Sequence, residues 1–290
     1  MKKLFKIIYT IIPFKKQIFL FLKKVWSPPE SVYQHLHFTG IIAVSLGGNK
    51  KFKMKHYGFQ IENEIFWKGL EGGWEKQSIG LWIKLCANAD VIFDIGSNTG
   101  VYALIAECIN PKAEVYAMEP VARVYKKLIE NNQLNNYKIK CFELAASNYT
   151  GKATIYDADT PHIYSVTVNK NLSPNRKMSA IEINTITLDT LIEKENINSI
   201  QLMKIDVETH EPELLEGFLV HLKKFKPTML IEVLSDETGA RIQKIIEEMG
   251  YLFFNIDENK GITRVQNITK SDYFNYLLCD QNTAKLLQLI

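Results

Sequence analysis

Acidic side chains beside tight turns are the residues of this sequence best suited to chemistry. Asp94 follows the apolar run Val91-Ile92-Phe93 and precedes the turn Ile95-Gly96-Ser97-Asn98-Thr99-Gly100. Glu119 ends a second run, Glu114 to Met118, and is followed by Pro120. A third group lies in Lys204-Ile205-Asp206-Val207-Glu208-Thr209-His210, and Glu232 closes Met229-Leu230-Ile231. An ionised carboxylate accepts hydrogen bonds and donates none, so such a set suits a ligand rich in hydroxyl and cationic groups. Glycine at the turn lets backbone approach that ligand closely.

Glu119 lies beyond the glycine turn at about the spacing of a ribose-binding acid in nucleotide-binding α/β folds. Two nucleotide-like ligands fit this layout. A dinucleotide brings a doubly charged diphosphate to the turn and is usually met by G-x-G-x-x-G; this turn lacks that pattern and has an acid at its mouth. S-adenosylmethionine has no phosphate, and its ammonium and sulfonium are both favoured by a nearby carboxylate. The electrostatics favour the sulfonium compound. An NAD-dependent oxidoreductase and a module that holds its cofactor without turnover stay open as alternatives.

At the second acidic stretch, apolar Met203, Ile205 and Val207 alternate with Lys204, Asp206 and Glu208. Charged groups do not belong in the middle of a sheet covered on both faces, so Asp206 and Glu208 are expected at a strand's carboxyl end, facing a crevice. Glu232 ends the next strand in the same way. His210 has the titration range of a general base near neutral pH, and Asp206 is the other candidate. Glu208 and Glu232 are then left to orient an acceptor. Nothing in the spacing of these four demands a metal.

The elements that must position these groups alternate regularly. Strands are expected at 91–95, 114–118, 138–142, 200–205, 228–232, 251–255 and 273–279, with helices between them over 74–88, 101–108, 121–134, 188–193, 211–218 and 237–249, and a tail helix over 282–290. Strand alternating with helix means a mostly parallel sheet covered on both faces. Residues 151–185 break the rhythm with two short strand-like runs, Ala153–Tyr156 and Tyr164–Val168, around a polar loop, and read as an insertion beside the site. Ahead of the sheet, 40–46 and 51–61 read as a hairpin through Gly47-Gly48-Asn49-Lys50. The division is therefore 1–73, a basic helix and hairpin cap, and 74–290, the ligand-binding domain. The front aromatics Tyr57, Phe59, Phe66, Trp67 and Trp74 are expected in the core.

Charge is unevenly placed. Residues 1–24 carry seven lysines and no acid, which leaves the remainder of this +3 chain slightly acidic. That argues against a nucleic-acid surface on the main domain. The leader is too interrupted by lysine to span a bilayer, and no small-residue cleavage site follows it. It is either an ordinary packed helix or one lying on an anionic membrane face, so the expected location is cytoplasmic, with or without membrane attachment. The scattered cysteines, Cys86, Cys108, Cys141 and Cys279, suit reduced buried thiols and give no zinc pattern.

Together, Phe93-Asp94-Ile95-Gly96-Ser97-Asn98-Thr99-Gly100, Glu119-Pro120, Lys204-Ile205-Asp206-Val207-Glu208 and Ile231-Glu232 resemble the FkbM-type S-adenosylmethionine-dependent methyltransferases over roughly residues 75–255. The resemblance implies the class I, Rossmann-like methyltransferase fold: a seven-stranded, mostly parallel sheet with its last strand antiparallel. It implies O-methylation of a hydroxyl on a glycan sugar or a small metabolite. Asp94, Gly96, Asn98 and Gly100 match the cofactor loop and Glu119 the ribose acid. Ser97, Pro120 and Ala145 complete the expected cofactor wall. Asp206 and Glu208 match the motif by the reaction centre. One position departs: the family usually has glycine after the second acid, and this chain has Thr209. The Asn/Asp-Pro-Pro-aromatic stretch of nucleic-acid amino-methyltransferases is absent after the fourth strand, where Asp206-Val207-Glu208-Thr209 stands.

Overall fold

The structure is a computed structural model that describes residues 13–73, 75–158, 166–167 and 178–290. The first half of the basic leader, Trp74, and most of the expected Tyr164–Val168 strand with its polar loop lie outside the described residues.

The front section holds α1 (Lys15–Val25), the short α2 (Glu30–Tyr33), the hairpin β1 (Gly40–Ser45) and β2 (Lys51–His56), and α3 (Gln60–Lys68). The hairpin is where the sequence placed it, but its second strand stops at His56. Gly58 adopts φ 90°, and Ile61, Ile65 and Phe66 then follow a helical spacing, so α3 forms where extended chain was expected. Phe66 and Trp67 are buried in the core as expected, while Tyr57 and Phe59 are half-buried.

Next come α4 (Lys76–Cys86), β3 (Val91–Ile95), α5 (Val101–Ile109), β4 (Glu114–Met118), α6 (Ala122–Asn135), β5 (Lys140–Phe142) and β6 (Ala145–Ala146). The inserted strands β7 (Gly151–Ala158), β8 (Val166–Thr167) and β9 (Met178–Ile186) follow. After them run α7 (Leu188–Lys194), β10 (Leu202–Ile205), α8 (Glu211–Glu216), α9 (Leu219–Phe225), β11 (Thr228–Glu232), α10 (Asp236–Ile246), β12 (Leu252–Asp257), β13 (Gly261–Val265), β14 (Asn275–Cys279) and α11 (Gln281–Leu286). Several helix starts are set by side chains the sequence supplies. Thr187 accepts the Thr190 N–H, Ser235 that of Thr238, and Asp280 that of Thr283. Pro212 sits in the first turn of α8, where its missing N–H costs nothing.

The main sheet has eight strands in the order β13-β12-β14-β11-β10-β3-β4-β5. β10, β3, β4, β5 and β11 run parallel, and β14 is antiparallel to both its neighbours β11 and β12. This is the class I methyltransferase arrangement with one strand more than expected. The extra strand, β13, pairs with β12 at the sheet's edge. Its Gly-Ile-Thr-Arg-Val has no fully buried residue and lacks the apolar run that marks the inner strands. The insertion is also more ordered than its sequence suggested. β7 and β9 pair antiparallel over their whole length, and β9 joins β6 in parallel, so a second sheet stands beside the first.

One hydrophobic core fills each face of the main sheet. Ile92, Leu202, Leu230 and Leu277 pack with α4, α5 and the front section, including Phe38, Phe52 and Trp82. Phe93, Ile205, Ile231 and Tyr276 pack on the opposite face with Leu191, Leu214, Leu222 and Ile242 of α7 to α10. The alternation along each strand thus assigns alternate residues to alternate cores. The four cysteines are free thiols, with Cys86 and Cys279 buried.

Candidate active site

Parallel register brings the distant acids together. Ile95 of β3 lies opposite Ile205 of β10, and Ile205 opposite Ile231 of β11, so one residue further on Asp206 and Glu232 emerge side by side. Glu232 in turn pairs with Asn275 of β14. One row below, Asp94 lies opposite Lys204. Period two then puts Asp94, Lys204, Asp206, Glu232 and Asn275 on the same face, at the carboxyl end of the parallel strands. A cavity of about 820 Å³ opens there.

The glycine turn is fixed by backbone contacts. Gly96 has φ 77°, and a Cβ built on it would lie 1.7 Å from the Asp206 carbonyl oxygen. The close approach is of one chain segment to another: the Asp206 N–H also donates to the Ile95 carbonyl at 3.0 Å. Gly96 and Ser97 both donate to the Met118 carbonyl at 3.0 Å, and the Asn98 N–H donates to Glu119 Oε2 at 3.0 Å. Three successive N–H groups are therefore committed inside the protein. A diphosphate would need such groups directed at it.

Most of the expected cofactor wall is assembled. Asp94, Gly96, Ser97, Asn98 and Glu119 line the cavity, as do Pro120 and Ala145. Gly100 stands off that wall; with φ 92° it starts α5 and lies against Leu128, whose Cδ1 would be 2.5 Å from an added Cβ. Glu119 is held at both oxygens, Oε2 by Asn98 and Oε1 by the Val121 N–H at 2.9 Å. Burial pushes its carboxyl up to about 7, against the pull of those two N–H groups. Asp94 is 2% exposed and accepts the Ala103 N–H at 2.9 Å. Burial pushes it to about 7 as well, although the Lys204 ammonium acts to lower it. Asn98 Oδ1 is buried and lacks a hydrogen-bond partner in the protein, an acceptor placed beside two carboxylates.

Lys204 is buried among acids. Its Nζ lies 3.3 Å from Asp206 Oδ2 and 5.3 Å from the centre of the Tyr102 ring. Burial would lower this ammonium, but Asp206, Glu75, Glu232 and Asp94 outweigh it and raise it, keeping the charge. Burial and then the charge of Asp206 push Glu232 upward, so Glu232 retains its proton beside Asp206. Glu75 is also buried and raised by burial. It accepts from the Tyr102 hydroxyl and from Asn275 Nδ2, each at 2.8 Å.

Asp206, Glu208, His210 and Glu232 all border the cavity. Glu208 and Thr209 both lie in the left-handed region, with φ 55° and 77°. Threonine, at the position where the family resemblance has glycine, thus takes a backbone conformation in which a β-branched residue is strained. Burial and the Asp206 charge push Glu208 up to about 7. His210 Nε2 is 3.0 Å from Ser147 Oγ, and its Nδ1 is 3.7 Å from Glu213. Nε2 is thus engaged by Ser147, Nδ1 lies beyond hydrogen-bond distance of Glu213, and burial lowers the basicity of the ring. Among the described residues there is no cluster of three or more His, Cys, Asp or Glu able to hold a metal.

Sequence reasoning missed Glu75, Tyr102 and Asn275, which carry no motif and meet only through the fold. The insertion, expected beside the site, supplies a cavity wall through Ile155, Ile183 and Thr185 of β7 and β9.

Among curated proteins, the chain is 26% identical over 208 residues to the hexuronic acid methyltransferase AglP of Haloferax volcanii, covering 70% of this chain and 82% of that protein. Among solved structures it resembles methyltransferase FkbM from Methylobacillus flagellatus KT, with TM-score 0.44 and 13% identity over 66% of this chain; it spans 43% of that protein's length. It also resembles Aeropyrum pernix fibrillarin in complex with S-adenosyl-L-methionine, with TM-score 0.41 and 11% identity over 71% of this chain and 75% of the other. These two likenesses are too loose to carry more weight than the strand order itself. The profile of the methyltransferase FkbM domain matches residues 94–253, which begins at the buried acid of β3 and takes in the acids of β4, β10 and β11. With over half the chain matched and those acids converging on one cavity, this protein belongs to the FkbM methyltransferase family.

Proposed function

We propose that the cavity binds S-adenosylmethionine and that the protein transfers its methyl group to a hydroxyl of a glycan sugar. The observation that carries the cofactor reading is the donor set. The turn's N–H groups at Gly96, Ser97 and Asn98 are spent on the protein, and what remains to meet a ligand is acceptor oxygen: Asp94, Glu119 and the unpartnered Asn98 Oδ1. Acceptors match a ribose diol and an ammonium, and they do not match a diphosphate. Glu119, oriented by its two N–H contacts, takes the ribose hydroxyls with its remaining lone pairs. When bound, the cofactor supplies a methyl group on a sulfonium, an electrophile that needs only an aligned nucleophile and exclusion of water.

The residues by the crevice then handle the acceptor. Asp206, whose Oδ2 lies 3.3 Å from the Lys204 ammonium, takes the hydroxyl proton. Glu232, which retains its own proton, serves as a donor to an acceptor oxygen. His210 is the weaker candidate for base, because Ser147 engages its Nε2 and burial lowers its basicity. The sugar reading is supported by the hexuronic acid methyltransferase relative.

Titration calorimetry with S-adenosylmethionine, S-adenosylhomocysteine and NAD tests the cofactor, and turnover on a panel of glycosides and uronates tests the acceptor. Binding of NAD without binding of either adenosyl compound would refute the reading. Binding of both without turnover on any sugar would leave a cofactor-holding module.

A further inference from the structure

We propose that α1 lies in the headgroup layer of an anionic lipid bilayer, with an apolar stripe turned into the membrane. Ile18, Phe21 and Val25 are spaced by three and four residues, which at 100° per residue places them within about 60° on the helix, and Phe14 caps its start. All four are exposed: Phe14 73%, Ile18 42%, Phe21 65% and Val25 70%. Elsewhere among the described residues, large exposed apolar side chains such as Ile41, Tyr149 and Val220 are scattered singly. Single ones are ordinary, whereas a contiguous stripe marks a contact surface.

The orientation of the stripe is fixed. The opposite side of the helix is docked on the protein through Phe19, whose ring lies 5.9 Å from Phe38 and 5.6 Å from Trp67. Lys23 donates to the Phe66 carbonyl on that same side. The stripe cannot rotate into the core without breaking these contacts.

Charge selects the occupant. Lys15 and Lys24 lie about 90° to either side of the stripe, where ammonium groups reach the headgroup level as apolar side chains enter the acyl boundary. Residues 1–24 hold seven lysines and no acid. A second copy would set two such helices against each other, whereas an anionic surface neutralises them. At 11 residues α1 is too short to cross the bilayer, and among the described residues no helix is long and apolar enough to do so. It is suited to lying in the plane.

The test is sedimentation of the full chain with phosphatidylcholine vesicles, with and without about 30% phosphatidylglycerol. The expected result is capture by the anionic vesicles about tenfold stronger than by the neutral ones, weakened by salt. A blue shift of tryptophan emission, lost in Trp26→Phe, should accompany it. Phe21→Ser with Val25→Ser should reduce capture about tenfold while the melting temperature and cofactor titration stay unchanged. Absence of capture by either vesicle would overturn the proposal. So would capture that survives the double substitution, or a dimer in size-exclusion chromatography that the double substitution dissociates. The site's own chemistry is read separately by turnover on soluble acceptors.

Discussion

At the scale of single residues, burial makes ionisation of Asp94, Glu119 and Glu208 expensive. In the proposed reaction Asp206 is the group on which turnover depends. Asp206→Asn should lower kcat by about 10²–10³-fold while the cofactor Kd changes by less than about threefold. Loss of cofactor binding in that variant would instead make Asp206 a structural partner of Lys204.

Glu119 yields a pH prediction. Its folded pKa of about 7 lies above the ordinary 4.5, so its contribution to stability is fully present below about 4.5 and is lost as pH rises through 7. Gln at this position never ionises. The difference in melting temperature between Glu119→Gln and the wild type, without cofactor, should shift in the variant's favour between about pH 5 and pH 8. An unchanged difference would show that the carboxyl ionises without penalty. Thr209 is strained at φ 77°. Thr209→Gly should stabilise the protein by about 1 kcal/mol, about 2 °C in Tm, because relief of the left-handed strain exceeds the entropy gained by the unfolded chain.

At the scale of elements, glycine positions are not equivalent. An alanine Cβ at Gly96 would collide with a carbonyl oxygen that the Asp206 N–H contact holds in place, whereas at Gly100 it meets the movable end of Leu128. Gly96→Ala should cost about 4 kcal/mol or more, and Gly100→Ala about 1–2 kcal/mol, measured by denaturant titration. The reverse order would show that β3 and β10 can part without cost. The same contrast explains what the sequence revealed. β3, β4 and β11 were legible to the residue because a strand buried on both faces is an unbroken apolar run ended by a functional acid. β9 was not, since Met178–Ile186 mixes polar and apolar residues in a sheet open on one side, and β13 was not, being an exposed edge. The strand expected over 51–61 ran past its true end at His56 because Gly58 turns the chain where the apolar pattern changes period, and α3 was not anticipated. Glu75 was invisible for another reason: its partners, Tyr102 and Asn275, are chosen by packing and not by spacing.

At the scale of the whole molecule, the two ends of the chain close the site. Glu75 leads into α4, Asn275 begins β14, and their hydrogen bond joins residues 200 apart. The stretch shared with the family stops at residue 253, inside β12, and excludes β14 altogether. Yet β14 is the strand inserted between β11 and β12. A fragment trimmed to residues 94–253 would keep only two residues each of β3 and β12 and would lose β14, leaving the backbone of β11 unpaired along one edge. It should show no cooperative thermal transition, where the full chain shows one. What must fold as a unit is therefore larger than the matched stretch, and the strand that seals β11 comes from beyond it.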